Sequence, residues 1–336
     1  MKIYIEDNNS AAKPNYFVGD RTRLATMTSV AFSSGNVMVV AHLVGEKLLV
    51  LDVDYASESF TCLDSQATTF SGKPTITDLL DYDGKNRLLT SNFDAGSGTL
   101  YSLVNNRLQH LKDISLPEGS GNCHGARFYD QDIICLSTNR NYMFFVEIDS
   151  GQMFAQLKLP YHIKDFVVIS ENHIVACFAV KSPDSEVKPT YASGLLNLQV
   201  DLKKSDFRIL HQWFFRPAAF DAICRDQESG RFYITDQFGD RVLVVALQED
   251  KFSILGELDG FDFPHGVDVG QNLLAVTNYG DSSVDILSLD DLQLKPVSGT
   301  SQYRRPVTSG DIIALCNNII KKLLKKLGLR KSWFLK

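Results

Sequence analysis

Two histidines open this sequence to chemistry. His124 in NCHGA and His265 in FPHGV each head a short apolar run and are each followed by glycine. Three aspartates, Asp78, Asp165 and Asp221, head comparable runs elsewhere in the chain. Imidazole and carboxylate converging on one point suit zinc, calcium or a similar divalent ion. Such an ion acidifies a bound water toward pH 7 for attack on an ester or a lactone. On that reading His124 and His265 are metal ligands, and Asp78, Asp165 or Asp221 is a further ligand or a general base. The plainer reading is that the same groups cap strand ends and bind water. Other catalytic patterns are missing: there is no GxSxG, HExxH, Walker A or dinucleotide fingerprint. Cys123 and His124 are adjacent, but neighbours in a strand point to opposite faces and cannot work as nucleophile and base.

The elements that would position these residues recur. SVAFSSGNVMVVAHLVGEKLLVLDVD, DLLDYDGKNRLLTSNFDAGSGTLYSLV and HGARFYDQDIICLSTNRNYMFFVEID are the first three copies of one pattern. DFVVISENHIVACFAV with GLLNLQVDL, DAICRDQESGRFYITDQFGDRVLVVAL and HGVDVGQNLLAVTNYGDSSVDILSL are the next three. Each is followed by a fourth apolar run, FTCLD, LQHLKDI, MFAQLKL, FRILHQW, FSILGEL and LQLKPV in turn. The copies start about 40 to 56 residues apart, the period of four-stranded propeller blades. Strands rich in Val, Ile, Leu, Phe and Tyr alternate with Gly, Asn, Asp and Ser, and runs such as VMVVA are apolar on both faces, as in a sheet held between two sheets. The expected fold is all-β: a six-bladed propeller of four-stranded antiparallel blades over 27–298, followed by a linker and a C-terminal amphipathic α-helix over 299–336. Residues 1–26 form an extension in which KIYIE supplies an edge strand or helps close the ring.

TNYGDSSV and TDQFGDRVLV, each downstream of a strand opening such as HGVDV, resemble the repeats of NHL and YVTN-type propellers. The resemblance spans about residues 27 to 298 and is closest in the last two copies. It implies architecture more than activity, since such propellers include binding scaffolds, lyases and lactonases. The lyases hold zinc with axial histidines, of which this chain places two. Calcium lactonases of the regucalcin and gluconolactonase kind have a similar fold. They carry an acidic residue on the first inner strand and PDG-type turns, whereas this chain reads MTSVAFSSG there and has no PDG.

In a propeller the first strand of each blade lines the central channel. The residues that open these strands should therefore converge on one funnel: Thr28, Asp78, His124, Asp165, Asp221 and His265. Glu118, Tyr161, His162, Arg216, Asp262 and Phe263, on the loops before them, form a second ring. The long connection KSPDSEVKPTYASG (181–194) would overhang the fourth blade.

Charge is divided unevenly. The last 25 residues hold seven Lys or Arg and no acid, so a chain of net −6 has a body of −13. Such a body points away from nucleic acid. In IIALCNNIIKKLLKKLGLRKSWFLK, Ile319, Ile320, Leu323, Leu324 and Leu327 share one helical face, and Lys321, Lys322, Lys325 and Lys326 cover the other. Arg330, Lys331, Trp333 and Phe334 follow, with the aromatic types that settle at a lipid headgroup boundary. The tail reads as an interfacial anchor drawn to anionic lipid. Scattered cysteines without CxxC spacing, and no apolar leader or spanning run, suggest a cytoplasmic protein peripheral to the inner face of a membrane. Two functions follow: a binding scaffold presenting the funnel to a ligand or protein partner, or a metal-dependent hydrolase or lyase, lactonase-like, working in it.

Overall fold

The structure, a computed structural model, describes residues 1–4, 16–18, 21–23, 27–33, 35–42, 46–180, 192–297 and 301–302. Six antiparallel sheets take up 27–67, 77–115, 123–158, 162–216, 220–259 and 264–288, and the last is completed by 2–4. Their first strands, Met27–Phe32, Thr77–Tyr82, Cys123–Phe128, His162–Ser170, Phe220–Arg225 and Pro264–Gly270, pack in a closed cycle around one axis. This is the expected six-bladed propeller. Its core lies between neighbouring blades: Met38, Val40, Leu49 and Leu51 of blade one pack with Ala275, Val284 and Ile286 of blade six. Val39, Leu48 and Val50, on the other face of blade one, pack with Leu80, Leu88 and Tyr101 of blade two. Blades buried on both faces explain why the second and third strands are almost unbroken apolar runs.

Ring closure differs from the expected pattern in one place. LQLKPV is not the fourth strand of blade six. Lys2–Tyr4 pairs with Ser283–Asp285 and fills that position, with Ile3 buried and the Lys2 ammonium 2.8 Å from Asp281. Leu292 and Leu294 instead pack on the neighbouring core, and Lys295 bridges to Glu257 on the outer strand of blade five. The N-terminal strand carries a buried apolar residue between a half-buried lysine and an exposed tyrosine and fits an edge, whereas the prolyl run at 292–297 bonds only briefly. Lys2–Tyr4, the described part of KIYIE, is therefore the strand that joins the two ends of the ring.

Each inner strand carries a bulge just after its first residues, between Cys123 and Ala126 in blade three and between Pro264 and Val267 in blade six. In blades two, three, five and six a hydroxyl on the second strand closes it. Ser91, Ser137, Thr235 and Thr277 accept from the amides of Leu79, Gly125, Ala222 and Gly266. The HG pairs are thus bulge positions rather than turns. At Gly266 a Cβ would stand 2.6 Å from the Ser29 Cα of the next blade, so a side chain there would push two blades apart.

Candidate functional site

The bulges turn one side chain per blade toward the axis: Thr28, Asp78, His124, Lys164, Asp221 and His265. Five of these are residues the sequence placed there. The sixth corrects it. In blade four the register shifts between Ile163 and Asp165, which sets Lys164 in the ring and carries Asp165 one step deeper. The ring therefore holds an ammonium where a third carboxylate was expected.

These groups close on one another. His124 Nδ1 lies 2.6 Å from Asp78 Oδ2. His265 Nε2 lies 2.7 Å from Asp221 Oδ2 and 3.4 Å from Asp78 Oδ1, and His265 Nδ1 donates to the Thr28 carbonyl at 2.6 Å. Lys164 Nζ is 2.7 Å from Asp221 Oδ1, and Gln237 Nε2 donates to Asp221 Oδ2 at 2.8 Å. Thr28 Oγ1 donates to the Thr77 carbonyl. The chain Lys164–Asp221–His265–Asp78–His124 thus crosses the channel.

Protonation follows from the partners. Both nitrogens of His265 face acceptors, a carbonyl and a carboxylate, so both carry protons. Burial disfavours that charge, but Asp221 and Asp78 outweigh it and push the imidazolium up to about 10. Burial alone would raise Asp78 and Asp221 as well. At the acid pH where these carboxyls titrate, His124 is charged as well, and the charges and hydrogen bonds of His124 and His265 on the first, and of His265 and Lys164 on the second, hold both well below the usual carboxylate range. His124 goes the other way. Burial and the Lys164 ammonium lower it despite Asp78, so its ring is neutral, with Nδ1 donating and a lone pair left on Nε2.

The donor set does not fit a resident divalent ion. A doubly protonated His265 has no lone pair to offer, and Asp78 and Asp221 already neutralise cationic side chains. Among the described residues no three His, Cys, Asp or Glu side chains are grouped to hold a metal. Cys123 adds no nucleophile: burial and the Asp78 charge push its thiol far above its ordinary value.

Aromatic rings stand around this network at the entry mouth. Phe93 meets the His124 ring edge-on at 4.9 Å, His162 lies 4.6 Å from the same ring, and Tyr279 stacks on His265 at 4.2 Å. Tyr161 stacks on Phe178 at 4.3 Å, and its hydroxyl meets Gln212 at 3.5 Å. Phe238, on the loop between the second and third strands of blade five, is 38% exposed. Of the second-ring candidates, Glu118 is exposed, Asp262 and Arg216 are half-buried, and His162 and Phe263 are buried. Residues 181–191 of the long connection, and the tail with Lys321, Lys322, Lys325, Lys326, Arg330, Lys331, Trp333 and Phe334, lie outside the described residues.

Deeper in the channel sits a second charged cluster that sequence reasoning missed, centred on Arg127. Its Nε donates to the Phe166 carbonyl, Nη1 to Leu80 O and Asp81 Oδ1, and Nη2 to Asp165 Oδ2 and Ile223 O. All five guanidinium donors are spent, and one side chain of blade three ties blades two, four and five. Three carboxylates around it also stitch neighbouring blades. Asp81 accepts from Phe128 N, Asp165 from Ile223 N, and Asp268 from Phe32 N. Burial lifts Asp165 to about 6 against the pull of Arg127. The only sequence signal was an arginine inside an otherwise apolar inner strand, HGARF.

No protein-family model matches the chain, and a search of curated proteins found no match. Solved structures do align. A protein from Lactobacillus plantarum, a Northeast Structural Genomics Consortium target, superposes with a TM-score of 0.54 at 13% identity, over 84% of this chain and 86% of its own. The structure of U3-55K superposes at 0.55 and 10% identity, over 80% and 97%. The β-propeller domain of Myceliophteria thermophila Cps50 (Swd1) gives 0.49 and 11%, over 78% and 83%. At these identities the likeness is one of fold.

Proposed function

We propose that the protein is a β-propeller binding module that offers the entry mouth of its channel to a protein partner. One observation carries this reading: the axial groups that could do chemistry are paired with one another beneath a rim of aromatic side chains. A buried, mutually satisfied charge network sets the blades in register and exposes little reactivity. Phe93, Tyr161 and Phe238, from three separate loops, supply the large rigid rings that anchor protein interfaces, above the buried Tyr279. We read the repeats as of the NHL or YVTN type on the strength of TNYGDSSV and TDQFGDRVLV. The tail, with seven cations and no acid, would hold this module at an anionic membrane surface.

Two experiments test the reading. Cross-linking of the full chain in its native lysate should concentrate on the entry-mouth loops and be lost in a Phe238→Ser, Tyr161→Ser variant. Contacts spread evenly over the blades, or unchanged in the variant, would count against it. Flotation with anionic vesicles should require residues 309–336, and binding that survives their deletion would remove the membrane role.

A second reading rests on the Asp78–His124 pair. A carboxylate on Nδ1 orients a neutral imidazole whose Nε2 lone pair can take a proton. Among the described residues no hydroxyl or thiol hydrogen-bonds that nitrogen, so the pair is half of a catalytic set. Hydrolysis of a lactone or ester panel that disappears in His124→Gln would favour this reading over the first.

A further inference from the structure

The opposite mouth of the channel, where the inner strands end, opens into a cavity of about 600 Å³. This is well within the range of small-molecule sites. Its walls are apolar where Phe32, Phe128, Val167 and Val269 contribute, and two groups of opposite charge line it without satisfying each other. Asp268 accepts amide hydrogen bonds from Phe32 N, at 2.7 Å, and from Val269 N, and it feels the Arg127 charge, but among the described residues no cation lies within ion-pair distance of it. Arg127, the nearest guanidinium of the channel, has no donor left to give it. Arg225 also lines the cavity. Its guanidinium meets Gln227 Oε1 only at 3.5 Å and lies 5.9 Å over the Phe232 ring, and its Nε is buried with no acceptor.

The other charges here are accounted for. Asp81 is held by Arg127 and by Phe128 N, and Asp83 by Arg87 at 2.6 Å. Asp268 and Arg225 remain, on neighbouring blades. Burial pushes Asp268 up to about 7, although its two amide hydrogen bonds and the Arg127 charge pull the other way. Leaving a charge half-desolvated and unpaired is costly, and natural structures retain that cost where a ligand removes it.

We propose that this second mouth binds a small zwitterion with an apolar body, an α-amino acid or a close analogue, its ammonium set against Asp268 and its carboxylate against Arg225. Neither charge alone satisfies both walls, and the apolar lining favours a hydrocarbon side chain over a polar one. The site is at the other end of the channel from the partner-binding mouth proposed above and does not depend on it.

The test is calorimetric titration of the full-length protein at pH 8 with L-phenylalanine, with phenethylamine (no carboxylate) and 3-phenylpropanoate (no ammonium) as matched probes. The zwitterion should bind at least tenfold more tightly than either probe. Asp268→Asn, which keeps the acceptor for Phe32 N, and Arg225→Gln should each weaken it tenfold or more. Thermal unfolding of both variants checks that they are folded, and Arg225, half-exposed, is the substitution less prone to disturb the fold. Equal affinity for the three probes, no binding of any, or wild-type affinity in the folded Arg225→Gln variant would each overturn the proposal.

Discussion

Raising the pH should destabilise this propeller chiefly through one ring, with a smaller share from Asp268 that is common to wild type and variant. In the folded chain His265 keeps its second proton up to about pH 10, whereas in the unfolded chain it loses it near 6.5. Between these values the native state binds one proton more than the unfolded state, so stability falls as pH rises. Below 6.5 both states are protonated and the contribution is complete. The slope is about 1.4 kcal/mol per pH unit, so about 2 kcal/mol should go between pH 6.5 and 8. That window lies below most thiol and phenol titration. It also lies above the range where His124 matters: its lowered pKa costs stability only as pH falls below 6.5. The assay is urea unfolding followed by tryptophan fluorescence at half-unit steps, on wild type and His265→Gln. The variant will be less stable throughout, and the informative quantity is the slope. Wild type should lose about 2 kcal/mol more than the variant across the window. Parallel curves would mean that His265 is not held as an imidazolium and that the account of the axial network is wrong.

Further expectations follow from the same contacts. Arg127→Met should cost about 3 to 5 kcal/mol in urea unfolding, because it strands Asp165 in the channel, and adding Asp165→Asn should recover part of the loss. If the double variant is no more stable than the single one, the pair is not the source. Lys164→Met should raise the pKa of His124, since burial and the Lys164 charge both hold it down and only burial would remain; an NMR titration of the ring reads this directly. Ile3→Ala should cost about 2 to 5 kcal/mol by emptying a buried position in the closing strand, and removal of residues 1–4 should cost more, both measured as shifts in the unfolding midpoint.

The fold could be read from the chain because its signal is repeated. Six copies of an apolar strand pattern at one period leave few architectures, and inter-blade burial explains runs such as VMVVA that a sheet with one wet face would not tolerate. Single-copy features were harder. LQLKPV has the composition of a fourth strand, and only the competition for the last edge of the ring shows that Lys2–Tyr4 takes the place. Asp165 was placed one position too shallow, because the bulge in HIKDFVVIS sits where the pattern alone cannot show it and a one-residue shift exchanges the faces of a strand. That shift hid Lys164, the cation that neutralises Asp221 and depresses His124. Arg127 was passed over for a different reason. A lone arginine in an inner strand announces no motif, and its role depends on carbonyls and carboxylates from three other blades. His124 and His265 look alike in sequence, each preceding a glycine, yet one is a neutral ring beside a carboxylate and the other a cation between two. Only their neighbours across the axis distinguish them.

The account rests most heavily on the protonation of His265, because a ring with both nitrogens occupied cannot ligate a metal and closes the charge network under the aromatic rim. The direct measurement is the side-chain ¹⁵N spectrum of histidine-labelled protein at pH 8, recorded with and without added zinc. Both His265 nitrogens should be protonated and unmoved by the metal. One unprotonated nitrogen, or a His265 signal that shifts with a stoichiometric amount of zinc, would contradict the closed network and return the axial histidines to a catalytic reading.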